Sequence, residues 1–241
     1  MKQPKILLFC PVSNYKDYIL WDWLKHIKKL TFKPLDILLI DNSNNTLYAQ
    51  RIAAEGFNCI HVHRKPGESL LQVMANCYII FREHFLKNNY DFWFSLECDI
   101  FPPVNIIEYL LCHRKQAIGA TYFTRAHGHD SLLTSDLMYI DNVTSDQPDT
   151  FFKDFARVNG HPQKMPNPGL GCFLIHKSVL QKVSFHNKLK DEAGTDSQFW
   201  EDVWNAKIDC WLDTSLNVKH FNSLWENIFN KEKNKEYAKT R

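Results

Sequence analysis

Four apolar runs in the first hundred residues, each but the last followed by a stretch with helical spacing, constrain this chain more than any other feature. The runs are KILLFCPV (5–12), LDILLID (35–41), FNCIHVH (57–63) and YDFWFSL (90–96). Between the first two, YKDYILWDWLKHIKKL (15–30) places Tyr18, Ile19, Trp23, Leu24, Ile27 and Leu30 at helical intervals. TLYAQRIAAEG (46–56) is the second helix, with Gly56 as its stop, and ESLLQVMANCYIIFREHFLKNN (68–89) is a long third. Short strands alternating with helices of this length predict an α/β chain built on a parallel, doubly wound sheet. Ligands of such sheets bind at the carboxyl ends of the strands.

The second half is less regular. VNIIEYLLCHRK (104–115) is helical and AIGATYFTR (117–125) a strand; residues 126–168 are rich in Asp, Asn, Pro and His and carry no sustained period. A connection that long is usually a functional loop or lid. GCFLIHKSVL (171–180) reads as strand then helix, TDSQFWEDVWNAK (195–207) as helix, and IDCWLD and SLNVKHFN as two further strands. There is no internal repeat, so one continuous domain over 1–241 is expected. Residues 1–100 form one half, 101–225 the other, and the basic KEKNKEYAKTR end falls in a solvated tail, 226–241.

A hydrophobic fraction of 44% is ample for a packed core, and 29 basic against 27 acidic residues leave no nucleic-acid footprint by charge alone. No run reaches the ~18 apolar residues of a membrane span, and MKQPKILLFCPV reads as a first strand rather than a leader. The 7 cysteines are odd in number and include no C-x-x-C pair. That usage implies a reduced, cytoplasmic compartment with neither a zinc site nor a disulfide framework.

Two acids stand out. The run FWFSL ends in Glu97 and Asp99 and is stopped by Pro102 and Pro103. In an extended segment, residues two apart point the same way. Two carboxylates sharing one point repel unless a cation or a proton lies between them. Spacing alone leaves two readings, a solvated strand end and a cation site.

LECDIFPPVNIIEYLL resembles the acidic D-x-D-type motif of GT-A glycosyltransferases, with Glu97 where the first Asp usually stands and Asp99 in the second place. GTDSQFWEDVWNAKIDCWLDTSLNVKH is similar to the block of family 2-like members: Asp196, Phe199 three later, a helix, a strand ending in Asp213-Thr214-Ser215, and a closing His220. PNPGLGCFLIHKSVL is like the glycine-bearing, acceptor-side segment that precedes the block, and FCPV and IDNSNN look like its two nucleotide-binding strand ends. Four pieces in order, from about residue 5 to about residue 222, carry the resemblance.

The resemblance implies a GT-A type, Rossmann-like, mostly parallel sheet flanked by helices, and an inverting transfer of a sugar from a nucleoside diphosphate sugar to an acceptor hydroxyl. A glycan, a lipid carrier, a protein or a modified nucleic-acid base would all serve as acceptor. It implies Asp99 and His220 as ligands of Mn2+ or Mg2+, the imidazole tilting the choice to Mn2+; by itself, His220 is also an ordinary strand-end histidine. Glu97, one methylene longer than Asp, would reach the ribose or a metal-bound water. Pro11 and Val12 would line the base pocket, and Asp41, Asn42 and Ser43 would bond base or ribose, although an Asx turn explains those three equally. Arg64 and Lys65 meet the diphosphate or are surface charges.

Asp196 would be the base that deprotonates the acceptor. Thr195 and Gln198 fit a capping box, which makes Thr195 the N-cap and puts Asp196 in the first turn, where the helix dipole favours its ionised form. Glu201 and Asp202 are the alternative pair, a turn or more inside the helix. The histidines of RAHGHDS, His127 and His129, lie in the expected lid and are not expected to hold a second metal. Two rivals are a nucleotidyltransferase, which would show a Gly-rich basic phosphate loop where FCPVSNYKD has none, and a non-catalytic nucleotide-sugar binder.

Overall fold

The computed structural model describes residues 3–122, 160–165, 168–186 and 194–221. The expected lid, with His127 and His129, and the basic tail lie largely or wholly outside the described residues. In chain order the elements begin β1 (Ile6–Val12), α1 (Asp17–Ile27), β2 (Leu35–Asp41), α2 (Leu47–Ala54), β3 (Asn58–His61), α3 (Leu70–Lys87) and β4 (Phe92–Leu96). They continue with β5 (Ile100–Phe101), α4 (Ile106–Cys112), β6 (Ala117–Tyr122), β7 (Pro162–Lys164), β8 (Cys172–His176), α5 (Lys177–Lys182), α6 (Thr195–Asn205) and β9 (Trp211–His220).

The strands form one sheet in the order β3-β2-β1-β4-β8-β6-β9-β5, with β7 added beside β9. The first half is parallel throughout, as its alternation predicts: β1 pairs with β2 and β4, and β2 with β3. In the second half β8 is antiparallel to β4 and β6, whereas β6 and β9 run parallel.

Period-two alternation inside the strands divides the core in two. Ile6, Leu8, Cys10 and Val12 of β1 face a cluster with Leu20, Trp23 and Ile27 of α1, Ile52 of α2 and Ile107 of α4. Leu7 and Phe9 face the opposite cluster, with Phe81 and Phe85 of α3, Val179 of α5 and Trp200 of α6. Phe9 stacks on Phe81 at 4.2 Å between ring centroids. Both faces of the sheet are therefore covered, which is why its strands read as unbroken apolar runs.

Local signals account for the helix limits. Ser69 and Gln72 close a reciprocal capping box at the start of α3. Gly56, just past α2, takes φ +85°, a left-handed conformation that glycine adopts without steric cost. Helix α1 is shorter than the periodic stretch suggests: residues 14–16 form a 3-10 turn, and Leu30, buried, lies beyond Ile27.

Two sequence expectations about the elements need correction. Gly194, not Thr195, is the N-cap of α6; the Thr195 side chain is buried and makes no capping bond. IDCWLD and SLNVKHFN are not separate strands but parts of β9. Between Asp213, opposite Ala120, and Asn217, opposite Thr121, the strand bulges. Asp213 Oδ1 accepts from the Ser215 backbone N–H at 2.8 Å and hydroxyl at 2.7 Å, holding the bulge. Strands β5 and β7, of two and three residues and flanked or begun by proline, had no periodicity to announce them.

Candidate functional site

The acidic pair sits where β4 gives out. Glu97 and Asp99 are not on an extended strand, as the spacing suggested, but on either side of a turn closed by Ile100 N–H donating to the Glu97 carbonyl at 3.0 Å. The turn brings both carboxylates to one side by curvature rather than by pleat. Glu97 N–H donates to the Gly171 carbonyl at 2.9 Å, anchoring the turn to the segment before β8. Gly171 can be nothing larger: a Cβ there would lie 2.4 Å from Ile100 Cδ1 and 2.5 Å from Tyr122 Cζ.

Strand β5 then recruits the histidine. Its Ile100 pairs antiparallel with His220 at the end of β9, and Phe221 N–H donates to the Asp99 carbonyl at 2.7 Å. His220 Nε2 stands 3.5 Å from Asp99 Oδ2, and the imidazole meets Tyr122 edge-on at 5.5 Å. One donor atom from each of Glu97, Asp99 and His220 lies within 4.8 Å of the others. An octahedral ion with bonds of ~2.1 Å separates opposite ligands by about 4.2 Å, so the three groups stand near coordinating distance.

Asp99 is 1% exposed, and its Oδ1 has no hydrogen-bond partner among the described residues. A buried carboxylate oxygen left without a donor is costly unless something else approaches it. Oxygen and imidazole donors with one such oxygen fit Mn2+ or Mg2+.

Lys16, from the turn after β1, was not singled out by sequence. Its ammonium donates to Asp99 Oδ2 and pairs with it. Burial alone would push the Asp99 carboxyl up, but the His220 hydrogen bond and the Lys16 charge outweigh it and hold the group down at about 2. Glu97 goes the other way: burial, then the Asp99 charge, raises it to about 7, against opposition from His220 and Lys16.

Asp196 lies in the first turn of α6, and its charge adds to the upward push on Glu97. The dipole argument predicted a carboxyl held in its ionised form. Burial instead raises its pKa and outweighs the backbone N–H groups of Ser197 and Asp196 that pull it down. Asp202, its alternative, is engaged elsewhere, 2.8 Å from His186 Nε2, and Glu201 is exposed.

At the end of β2, Asp41 is fully buried and already committed. Its Oδ1 accepts from the Ser43 N–H at 3.0 Å and hydroxyl at 2.6 Å, and its Oδ2 lies 2.8 Å from His61 Nδ1. The Asx turn that composition allowed is therefore present. Ser43 Oγ also accepts from Asn14 N–H at 2.9 Å, which ties the Lys16 turn to β2. Asn42 reaches inward to Met74 Sδ at 3.0 Å. Val12 packs in the core, and Pro11 is half-buried. Arg64 and Lys65 are exposed and line an open cleft with Asn44, His63 and Ser69; Arg64 Nε donates to the Glu68 carbonyl at 2.7 Å.

A parallel β3-β2-β1-β4 half, an antiparallel extension and an acidic turn at the strand ends define the GT-A fold. No protein-family model matches the chain, and no curated protein matches it in sequence. Solved structures match in fold. GalNAc-T7 with UDP, GalNAc and Mn2+ superposes with a TM-score of 0.61 at 12% identity, over 91% of this chain and 44% of that one. The mannosyltransferase PcManGT from Pyrobaculum calidifontis, in complex with GDP-Man and Mn2+, gives 0.57 at 13%, over 91% and 57%. S. aureus TarS 1–349 gives 0.54 at 10%, over 90% and 60%. The chain thus spans about half the length of the structures it matches, and at these identities the likeness is one of fold. No helix among the described residues is long and apolar enough to cross a membrane.

Proposed function

We propose that this chain is a divalent-metal-dependent glycosyltransferase that moves a sugar from a nucleoside diphosphate to an acceptor hydroxyl with inversion. The observation that carries the proposal is the Glu97–Asp99–His220 cluster at the carboxyl edge of the sheet, with Asp99 Oδ1 buried and unmatched among the described residues. GT-A structures of similar fold that hold UDP or GDP-Man with Mn2+ support it.

Asp99 and His220 would hold the ion directly, with Glu97 reaching it or one of its waters. When bound, the ion supplies positive charge against the negative charge developing on the departing diphosphate. The segment 41–43 would floor the base and ribose site through its backbone, since the Asp41 carboxylate is already spoken for and the Asn42 amide turns inward to Met74. Arg64 and Lys65 would bring cationic charge to the phosphates from the cleft beside α3.

Asp196 would take the proton from the acceptor hydroxyl. The acceptor oxygen then attacks the anomeric carbon from the face opposite the diphosphate, and the diphosphate leaves with the bonding pair. Burial makes Asp196 a stronger base than a solvated aspartate, which suits this role. The two halves, about 1–100 for the nucleotide and 101–225 for the acceptor, would act as one domain.

Thermal-shift measurements with UDP and GDP, with and without Mn2+, test the proposal, because a ligand that binds only the native state raises the melting temperature by mass action. The expected result is a shift that needs the metal and disappears in Asp99→Ala. No shift with either nucleotide at saturating Mn2+ would count against it.

A further inference from the structure

Lys16 is the one ammonium at the acidic turn among the described residues, and neither the fold nor the reaction asks for it there. Its position is built rather than incidental. Ser13 accepts from Tyr15 N–H at 3.3 Å, Lys16 N–H donates to the Ser13 carbonyl at 2.9 Å, and Asn14 N–H is fixed to Ser43 Oγ. The turn thus aims the lysine stem from the end of β1 across to Asp99. The partner carboxylate is almost fully buried, while the lysine side chain is 38% exposed.

The ammonium therefore sits on the carboxylate that the proposed ion would use. With Lys16 on Oδ2 and an ion on the open Oδ1, two cations on one buried carboxylate repel strongly at low local dielectric. We propose that Lys16 is the resident counter-ion of the metal site: it neutralises Asp99 while the site is empty and is displaced when the ion arrives with a nucleoside diphosphate. The displaced ammonium then lies beside the incoming phosphates, whose charge compensates it, so the ion alone binds poorly and the ion with diphosphate binds well. Lys16 on this view makes metal binding conditional on donor binding. The inference rests on the metal site proposed above.

The test measures Mn2+ binding by the loss of the free-ion electron paramagnetic resonance signal, with Mn2+ alone and with Mn2+ plus UDP or GDP. Lys16→Met keeps most of the stem without the charge, and Lys16→Arg keeps a cation. Lys16→Met is expected to bind Mn2+ alone at least about tenfold tighter than wild type. The tightening that nucleotide confers on Mn2+ should shrink by a similar factor, because coupling is reciprocal. Lys16→Arg should behave as wild type. Lys16→Met should also melt lower when metal-free and recover on adding Mn2+, which separates loss of the counter-ion from misfolding. If Lys16→Met loses Mn2+ affinity, or leaves both affinity and coupling unchanged, while Asp99→Asn abolishes binding, the counter-ion role is overturned and the metal site stands. If Asp99→Asn binds Mn2+ as wild type does, the metal site itself is misassigned and the role of Lys16 falls with it.

Discussion

Gly171 joins the acidic turn to the rest of the sheet, and Gly171→Ala measures how tightly. The added methyl carbon would sit 2.4 Å from Ile100 Cδ1 and 2.6 Å from the Tyr122 hydroxyl, whereas unstrained carbon contacts lie at about 3.5–4.0 Å. Something must move by about an ångström, and both neighbours are buried. Overpacking of this kind costs ~1–3 kcal/mol, and replacing glycine by alanine returns ~0.4–1 kcal/mol through the unfolded chain. A net loss of about 1–2 kcal/mol lowers the melting temperature of a chain this size by about 2–8 °C. The damage also has a direction. Ile100 neighbours Asp99, and Tyr122 packs on His220, so Mn2+ affinity should fall with stability. Gly119→Ala is the control: its methyl would meet the Phe173 ring at 2.1 Å, in the cluster on the other face of the sheet. That variant should lose stability and keep its affinity for Mn2+. Circular dichroism melts and Mn2+ titration read both quantities. A Gly171→Ala protein with wild-type melting temperature and Mn2+ affinity would refute the reasoning, and equal Mn2+ loss in Gly119→Ala would show the effect to be global.

Asp196→Asn should lower turnover ~10²–10⁴-fold with nucleotide affinity unchanged, as loss of a general base does; Asp202, already paired with His186, should tolerate Asp202→Asn with activity kept, and the reverse pattern would move the base from Asp196 to Asp202. His220→Ala should weaken Mn2+ more than Mg2+, because imidazole suits the former; equal losses in a competition titration would remove the imidazole from the ion's shell. Burial pushes Asp213 up, but the Ser215 hydrogen bonds outweigh it, so its carboxyl titrates below the ordinary range. A depressed carboxyl stabilises the fold above the unfolded pKa and ceases to do so as pH falls through the folded one. The melting-temperature gap between wild type and Asp213→Asn should therefore be full near neutrality and narrow in acid; a gap that widens in acid would contradict the bonding at the bulge. Trp23 Nε1 donates to the Ile100 carbonyl at 3.1 Å across the core, so Trp23→Phe should lower the melting temperature measurably, and no change would mean that β5 needs no such tie.

Strands β1, β2 and β4 were legible because a strand covered on both faces is apolar at nearly every position, and no helix of five to seven residues explains such a run. The sense of β8 was not legible. CFLIH is equally apolar in either direction, and its antiparallel pairing with β4 is set by the path of the intervening chain. Strands β5 and β7 rest on pairing with β9 alone, so nothing in their own residues distinguishes them from loop. At the site, Glu97, Asp99 and His220 came from motif order, and the fold gathers them. Lys16 escaped notice because a single lysine in a polar turn has no spacing to betray it; only the tertiary approach of the β1 turn to Asp99 gives it meaning. The Thr195 cap misled for a related reason. A hydroxyl three residues before a glutamine suits a capping box, but here the hydroxyl is buried and the backbone of Gly194 starts the helix.

The two-residue pairing of β5 with β9 also sets when the site can exist during folding. Asp99 belongs to the first half of the chain and His220 to its last described strand, and they meet only after β9 has docked along β6 and turned through its bulge to reach Ile100. Any state with β1 to β4 assembled and β9 undocked would own both carboxylates and the lysine, yet have no imidazole to offer. Contacts so remote in sequence form late, since closing the loop must come first. A cation held by both residues, as proposed, would therefore stabilise the finished protein and not the barrier that leads to it, so adding Mn2+ should slow unfolding and leave refolding almost untouched.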